Sequence, residues 1–218
     1  MNPSQSREFC VKSRRVLLPD GAVPRPATVW VRDGIITRVE EGVEGSGDGT
    51  VHDQVLMPGI VDTHAHINEP GRTDWEGFQT ATRAAAAGGI TSVIDMPLNS
   101  IPATTTLEAL RNKADTANGK CAIDYGFWGG VVPGNADELE PMVRAGALGF
   151  KAFLIESGVD EFKMSSEKDL RLAMPILARL GVPLLVHAEL ESGASQPFEE
   201  STKYDDYLAS RPKAWEVE

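Results

Sequence analysis

Hydrophobic and polar positions follow two rhythms along this chain, and the rhythm changes once, near Pro58. Before it, short apolar and β-branched runs at 16–18, 28–31 and 35–39 are separated by Pro-Asp-Gly and Arg-Asp-Gly turns. Asp-Gly between alternating runs is a hairpin signal, because both residues tolerate the positive φ of a two-residue turn. Residues 1–8 are polar and read as a frayed end, and 44–50 (EGSGDGT) as a surface loop. Segment 1–57 is therefore expected to be a small β-rich module, the first part of a β-sandwich. It carries no cluster of chemical side chains, and His52 within it reads as a surface histidine.

After Pro58, apolar runs at 60–67, 91–96, 121–128, 148–154 and 183–188 alternate with amphipathic stretches at 75–87, 107–117, 138–144, 167–180 and 204–209. Strand-like runs alternating with helical patterns predict βαβ units on a parallel sheet. The runs are nearly continuous in apolar character, as expected for strands buried on both faces. No Gly-rich dinucleotide fingerprint follows the first strand. Segment 58–218 is accordingly expected to be α/β, a partial (β/α)8 barrel with about five βα units. Val93, Phe153 and Val186 are expected to point into the barrel.

Barrel chemistry sits at the C-terminal strand ends, which makes those ends informative. The first strand carries His64 and His66, at the i and i+2 spacing that places two side chains on one strand face. Neutral imidazole is the commonest metal ligand, and two on one strand make half a coordination shell. The plain alternative is two histidines alternating on a core strand. Asp95 lies at the end of the second strand with Asn99 just after it, Lys151 lies within the fourth, and His187 ends the fifth. A lysine in an apolar strand is costly, and burial depresses its pKa. The neutral amine can add carbon dioxide to give a carbamate, whose two oxygens can bridge two cations. The alternative is a lysine whose ammonium reaches the barrel mouth. Asn68 and Asn99 lie just beyond strand ends, as substrate hydrogen-bonding groups or as loop-capping residues.

Composition narrows the function classes. The 218 residues are 41% hydrophobic and carry a net charge of −11, unlike the basic surface expected for nucleic-acid binding. No apolar run approaches the roughly 20 residues of a membrane span, and the first residues lack the apolar core of a secretory signal. Cys10 and Cys121 are far apart and form no disulfide framework, so a reducing compartment, the cytoplasm, is expected.

Several of these stretches together resemble a known family. VDTHAHINEPG at 61–71, GFKAFL at 149–154 and VHAE at 186–189 resemble the cyclic-amide branch of the metal-dependent amidohydrolases. MPGIVDTHAHINEPGR at 57–72, GGITSVIDMPLNSIPAT at 88–104 and YLASRP at 207–212 are similar, within that branch, to the allantoinases. The resemblance implies a β-sandwich beside a (β/α)8 barrel holding two divalent metals, usually zinc in that family, with cobalt or manganese suited to the same donors. It implies that His64 and His66 bind the more buried ion, carboxylated Lys151 bridges the two, and His187 binds the more exposed one. It implies allantoin as the small-molecule substrate, opened to allantoate, and a homo-oligomer, a tetramer. A sixth-strand histidine and an eighth-strand general-base aspartate are expected beyond Glu218, so no general base is assigned here, and the chain is expected to be a truncated form, inactive alone. Dihydropyrimidinase, dihydroorotase and a non-catalytic interaction protein are the alternatives. The dihydroorotases usually carry arginine where this chain has Asn68.

Overall fold

The computed structural model describes residues 8–19, 21, 23–44, 50–190 and 202–210, with the side chains of 209 and 210 excepted. Most of the stretches expected to fray (1–8) or loop (44–50) lie outside these residues. The chain divides into two compact units, Met1–Gly59 and Ile60–Glu218.

In the first unit, β1 (Glu8–Val16), β2 (Arg25–Arg32), β3 (Ile35–Glu41) and β4 (Val51–Leu56) form one sheet in the order β3-β2-β1-β4. β1–β2 and β2–β3 are antiparallel, and β1–β4 is parallel. Asp33 and Gly34 both take positive φ, 51° and 83°, and Arg32 pairs directly with Ile35 across them. That is the tight hairpin the Asp-Gly pair encodes. β1 lies earlier than the expected 16–18, because its partners satisfy its polar positions. The buried Ser13 hydroxyl, for example, donates to the Gln54 carbonyl at 2.7 Å. Val16, Ala27 and Val29 form the buried centre, and His52 is exposed.

The second unit runs β5 (Ile60–Ala65), α1 (Phe78–Ala87), β6 (Ile90–Asp95), α2 (Leu107–Ala117), β7 (Asp124–Phe127), β8 (Gly129–Gly130), α3 (Ala136–Arg144), β9 (Phe150–Phe153), α4 (Glu167–Leu180), β10 (Leu184–His187) and α5 (Tyr204–Ser210). Every strand pairing is parallel. The strands form two three-stranded sheets, β5-β6-β7 and β10-β9-β8, rather than one ladder. The expected strand 121–128 is split at Trp128. Its N–H donates to the Asp95 carbonyl at 2.9 Å, while Gly129 N–H donates to Gly149 at 2.9 Å, so the bonding switches neighbours there. The glycines after it are forced by contact: a Cβ on Gly129 would lie 2.4 Å from the Phe150 ring.

The helix limits follow local chemistry. The Thr106 hydroxyl accepts from Ala109 N–H at the start of α2, and Ser166 with Asp169 makes a capping box at α4. Gly181 closes α4 at φ 69°. α1 begins at Phe78 rather than at 75, because the Glu69 carboxylate accepts the Phe78 N–H at 2.9 Å and fixes the first turn there.

Phe78, Leu110, Leu139, Met142, Ala173 and Leu177 of the helices share one buried cluster with Val93, Phe127, Phe150 and Ala152 of the strands. Val93 thus packs with the helices instead of pointing inward as expected. Phe153 is half-buried and Val186 exposed. β5 is largely exposed, not buried on both faces, because it forms the edge of its sheet. A second cluster, Met96, Leu98, Ala103, Trp128 and Phe162, packs beyond the strand ends under the loops. Among the described residues no helix is long and apolar enough to cross a membrane.

Candidate metal centre

His64 lies inside β5, and His66 sits one residue past its end. The regular β5–β6 ladder is interrupted between Asp62 and Ala65, so simple strand alternation does not set the two rings. Four local bonds hold the segment instead. The His64 N–H donates to the Asp62 carboxylate at 3.0 Å, and the Trp128 indole donates to the Thr63 carbonyl at 2.9 Å. The Met96 N–H donates to the Ala65 carbonyl at 2.8 Å, and the Ile67 N–H to the Asp95 carboxylate at 2.6 Å. The imidazole centroids end 5.3 Å apart, tilted by 48°. Two imidazoles sharing a tetrahedral ion at zinc–nitrogen distances of about 2.0–2.1 Å place their centroids about 5 Å apart, so the pair fits one ion.

Burial first, then the neighbouring His64, Lys113 and Lys151, holds His66 below the ordinary histidine range. A depressed value favours the neutral ring, the form that binds a cation. Lys151 of β9 is buried, and burial holds its ammonium below the ordinary lysine range. Its Nζ lies 4.9 Å from the Phe153 ring centroid, and no carboxylate pairs with it among the described residues. A desolvated amine without a counter-ion is the state from which a carbamate forms.

His187 ends β10 directly beside Phe153 of β9. Its ring stacks on Phe153 at 4.9 Å with the planes 5° apart, and Nε2 meets the Glu189 carboxylate at 2.9 Å. His64 and His66 therefore come together, and Lys151 lies close enough to act on His66. His187 and Lys151 each lie against the Phe153 ring. Among the described residues no three His, Cys, Asp or Glu side chains converge on one point, so the four expected ligands are not gathered into a finished site. The physical reason is that His187 is already satisfied, with its face on Phe153 and its nitrogen on Glu189.

Asn68 is buried, and its side chain makes no hydrogen bond to another described residue. Asn99 adopts φ 75°, and its carbonyl accepts from Arg72 at 2.9 Å. Three groups around the site escaped the sequence reading. Arg72 also bonds the Glu161 carboxylate, drawing that group below the ordinary carboxylate range, and lies 4.9 Å over Trp75, so it joins the loops after β5, β6 and β9. Glu69 caps α1 and receives the Lys120 ammonium. Lys113 of α2 pairs with Asp95 at 2.6 Å, both 1% exposed. The available signal was a lysine on the apolar stripe of a helix, three residues after Leu110 and four before Ala117.

Comparison with known proteins agrees with this reading at the level of the family. An allantoinase from Streptomyces avermitilis is 51% identical over 211 residues, 94% of this chain and 47% of its own length. An allantoinase from Aquarana catesbeiana, named as mitochondrial, is 53% identical over 217 residues, covering 97% of this chain and 44% of that protein. The solved structure of L-hydantoinase (dihydropyrimidinase) from Arthrobacter aurescens matches with a TM-score of 0.80 at 30% identity, over 95% of this chain and 48% of that one. The chain thus spans about half the length of the relatives it matches. Residues 55–211, which hold His64, His66, Lys151 and His187, match the amidohydrolase family along their length, and the chain belongs to that family.

Proposed function

We propose that a protein carrying this chain hydrolyses the hydantoin ring of allantoin to allantoate, in purine and ureide breakdown. The observation that carries the reading is the His64–His66 pair, at a spacing suited to one cation, beside a buried lysine that no carboxylate pairs among the described residues. His64 and His66 would hold one divalent ion, and Lys151, as its carbamate, would reach it and a second. His187 would join the second ion once its ring left Glu189. Bound metal supplies a water that ionises near neutral pH and a Lewis acid for the amide carbonyl. Zinc is the ion proposed, and cobalt and manganese suit the same donors.

The reaction adds water across the ring amide: a carbon–oxygen bond forms, the carbon–nitrogen bond breaks, and the nitrogen takes the proton. This chain's residues orient that event. The Asn68 amide, buried and without a side-chain hydrogen bond among the described residues, suits an uncharged ring, and Asn99, its backbone held by Arg72, offers a second amide from the next loop. We further propose that the βα units belong to a (β/α)8 barrel, that the β1–β4 sheet is one layer of a sandwich, and that the assembled enzyme is a tetramer. The free thiols Cys10 and Cys121 suit the cytoplasm.

A second reading, hydrolysis of other cyclic ureides, is favoured by the likeness to L-hydantoinase. Bound metal and ring opening should be measured on this polypeptide and on a full-length form, with allantoin, a 5-substituted hydantoin and dihydrouracil. Allantoate release by the zinc-loaded full-length form is expected. Turnover of the other two rings with none of allantoin would favour the second reading, and no metal and no turnover would sink both.

A further inference from the structure

β5 ends at Ala65, so no strand ladder holds the backbone of His66. Its two neighbours are nevertheless fixed, and both fixings come from the end of β6. The Met96 N–H grips the Ala65 carbonyl at 2.8 Å, and one Asp95 carboxylate oxygen accepts the Ile67 N–H at 2.6 Å. The other Asp95 oxygen receives the Lys113 ammonium at 2.6 Å, and that ammonium also donates to the Met96 carbonyl at 3.0 Å. Both side chains are 1% exposed, so water cannot replace these bonds. A buried ion pair is poor at raising stability, since an apolar pair of similar volume often serves as well. This pair, however, aims one oxygen at the amide that follows His66.

We propose that Asp95 is a positioning residue for metal capture: locked by Lys113, its carboxylate tethers Ile67 and so sets the His66 ring against His64. The inference rests on the reading of His64 and His66 as ligands. The general physical case is that partners one contact behind a metal ligand fix its orientation, and losing them costs roughly 10- to 100-fold in affinity.

Two double variants separate tethering from charge and from fold. Asp95→Asn with Lys113→Met removes the ion pair but keeps an oxygen for the Ile67 N–H. Asp95→Leu with Lys113→Met removes the pair and the acceptor together. Zinc titration of the purified chain, alongside its thermal melt, reads both. The Asn/Met variant should bind zinc within about 3-fold of the parent, and the Leu/Met variant at least about 10-fold more weakly, the range expected for a lost orienting partner. Should the Leu/Met chain fail to melt like the parent, Asp95→Glu is read instead. It keeps the charge and the pairing to Lys113 but displaces the carboxylate, and it too should weaken zinc. Equal affinity in the two double variants, or parental affinity in Asp95→Glu where that is the variant read, overturns the positioning role. His66→Asn is the control: if it binds zinc as the parent does, the ligand reading fails and takes the proposal with it, whereas loss there with no loss in the Asp95 series removes the proposal alone.

Discussion

The two ends of the candidate centre are built differently. Where β5 meets β6, four bonds fasten the backbone around the histidines: Asp62, Trp128, Met96 and Asp95 each hold one group of residues 63–67. Where β9 meets β10, Lys151 lies buried with no carboxylate pairing it among the described residues, and His187 leans on Phe153 and Glu189. The first end is assembled by the fold alone. The second carries an amine whose charged form burial disfavours. Preorganisation and unfinished charge thus sit side by side in one site.

The largest expected effect tests the unfinished end. In a full-length form, Lys151→Ala should cost more allantoin turnover than the roughly 100-fold typical of a partner one contact behind a metal ligand. A short-chain carboxylic acid should restore part of it by standing in for the carbamate. Normal turnover in Lys151→Arg would break the contrast, since a guanidinium forms no carbamate.

The assembled end is tested by selectivity. Asn68 follows Ile67 directly, and its own N–H is held by the Glu76 carbonyl at 3.0 Å. A buried polar group left without its partner costs about 1–3 kcal/mol, so Asn68→Arg should lower kcat/KM for allantoin by roughly 5- to 150-fold. Steady-state kinetics on the full-length variant checks this, and improved allantoin turnover would remove Asn68 from the substrate site.

The same contrast explains what the sequence disclosed. α2 and α4 were legible to the residue, because Thr106, Ser166, Asp169 and Gly181 write their ends into neighbouring positions. His64, His66, Lys151 and His187 stood out as costly residues in apolar runs. The Asp95–Lys113 pair did not, since it joins a strand end to a helix face 18 residues away. The split at Trp128 was equally hidden, because it depends on which neighbour accepts each N–H. The state of His187 is set by Phe153 on another strand. Local signals gave elements and candidates, while the bonds between elements decided which candidates meet.

The smallest effect distinguishes the two ends by the sign of a pH dependence. Burial, only partly offset by Lys113, pushes the Asp95 carboxyl up to about 6, above the ordinary value of about 3.9. The folded chain then holds a proton that the unfolded chain has released, so the Asp95 contribution is full below about pH 4 and is lost as pH rises through about 6. The loss is roughly 2–3 kcal/mol at most. Asp95→Asn with Lys113→Met has no such titration. The melting temperature of the parent minus that of the variant should therefore fall between pH 4.5 and 7.5, by a few degrees per kcal/mol for a chain of this size. Lys151 tilts the other way. Its depressed value means the folded chain binds fewer protons than the unfolded one, so its contribution is full above the ordinary lysine value of about 10.4 and is lost as pH falls through the lower folded value. In degassed buffer, where no carbamate forms, the melting temperature of the parent minus that of Lys151→Met should rise with pH on the alkaline side. Slopes of the same sign at Asp95 and Lys151 would mean that burial does not push both groups, one an acid and one a base, toward their neutral forms.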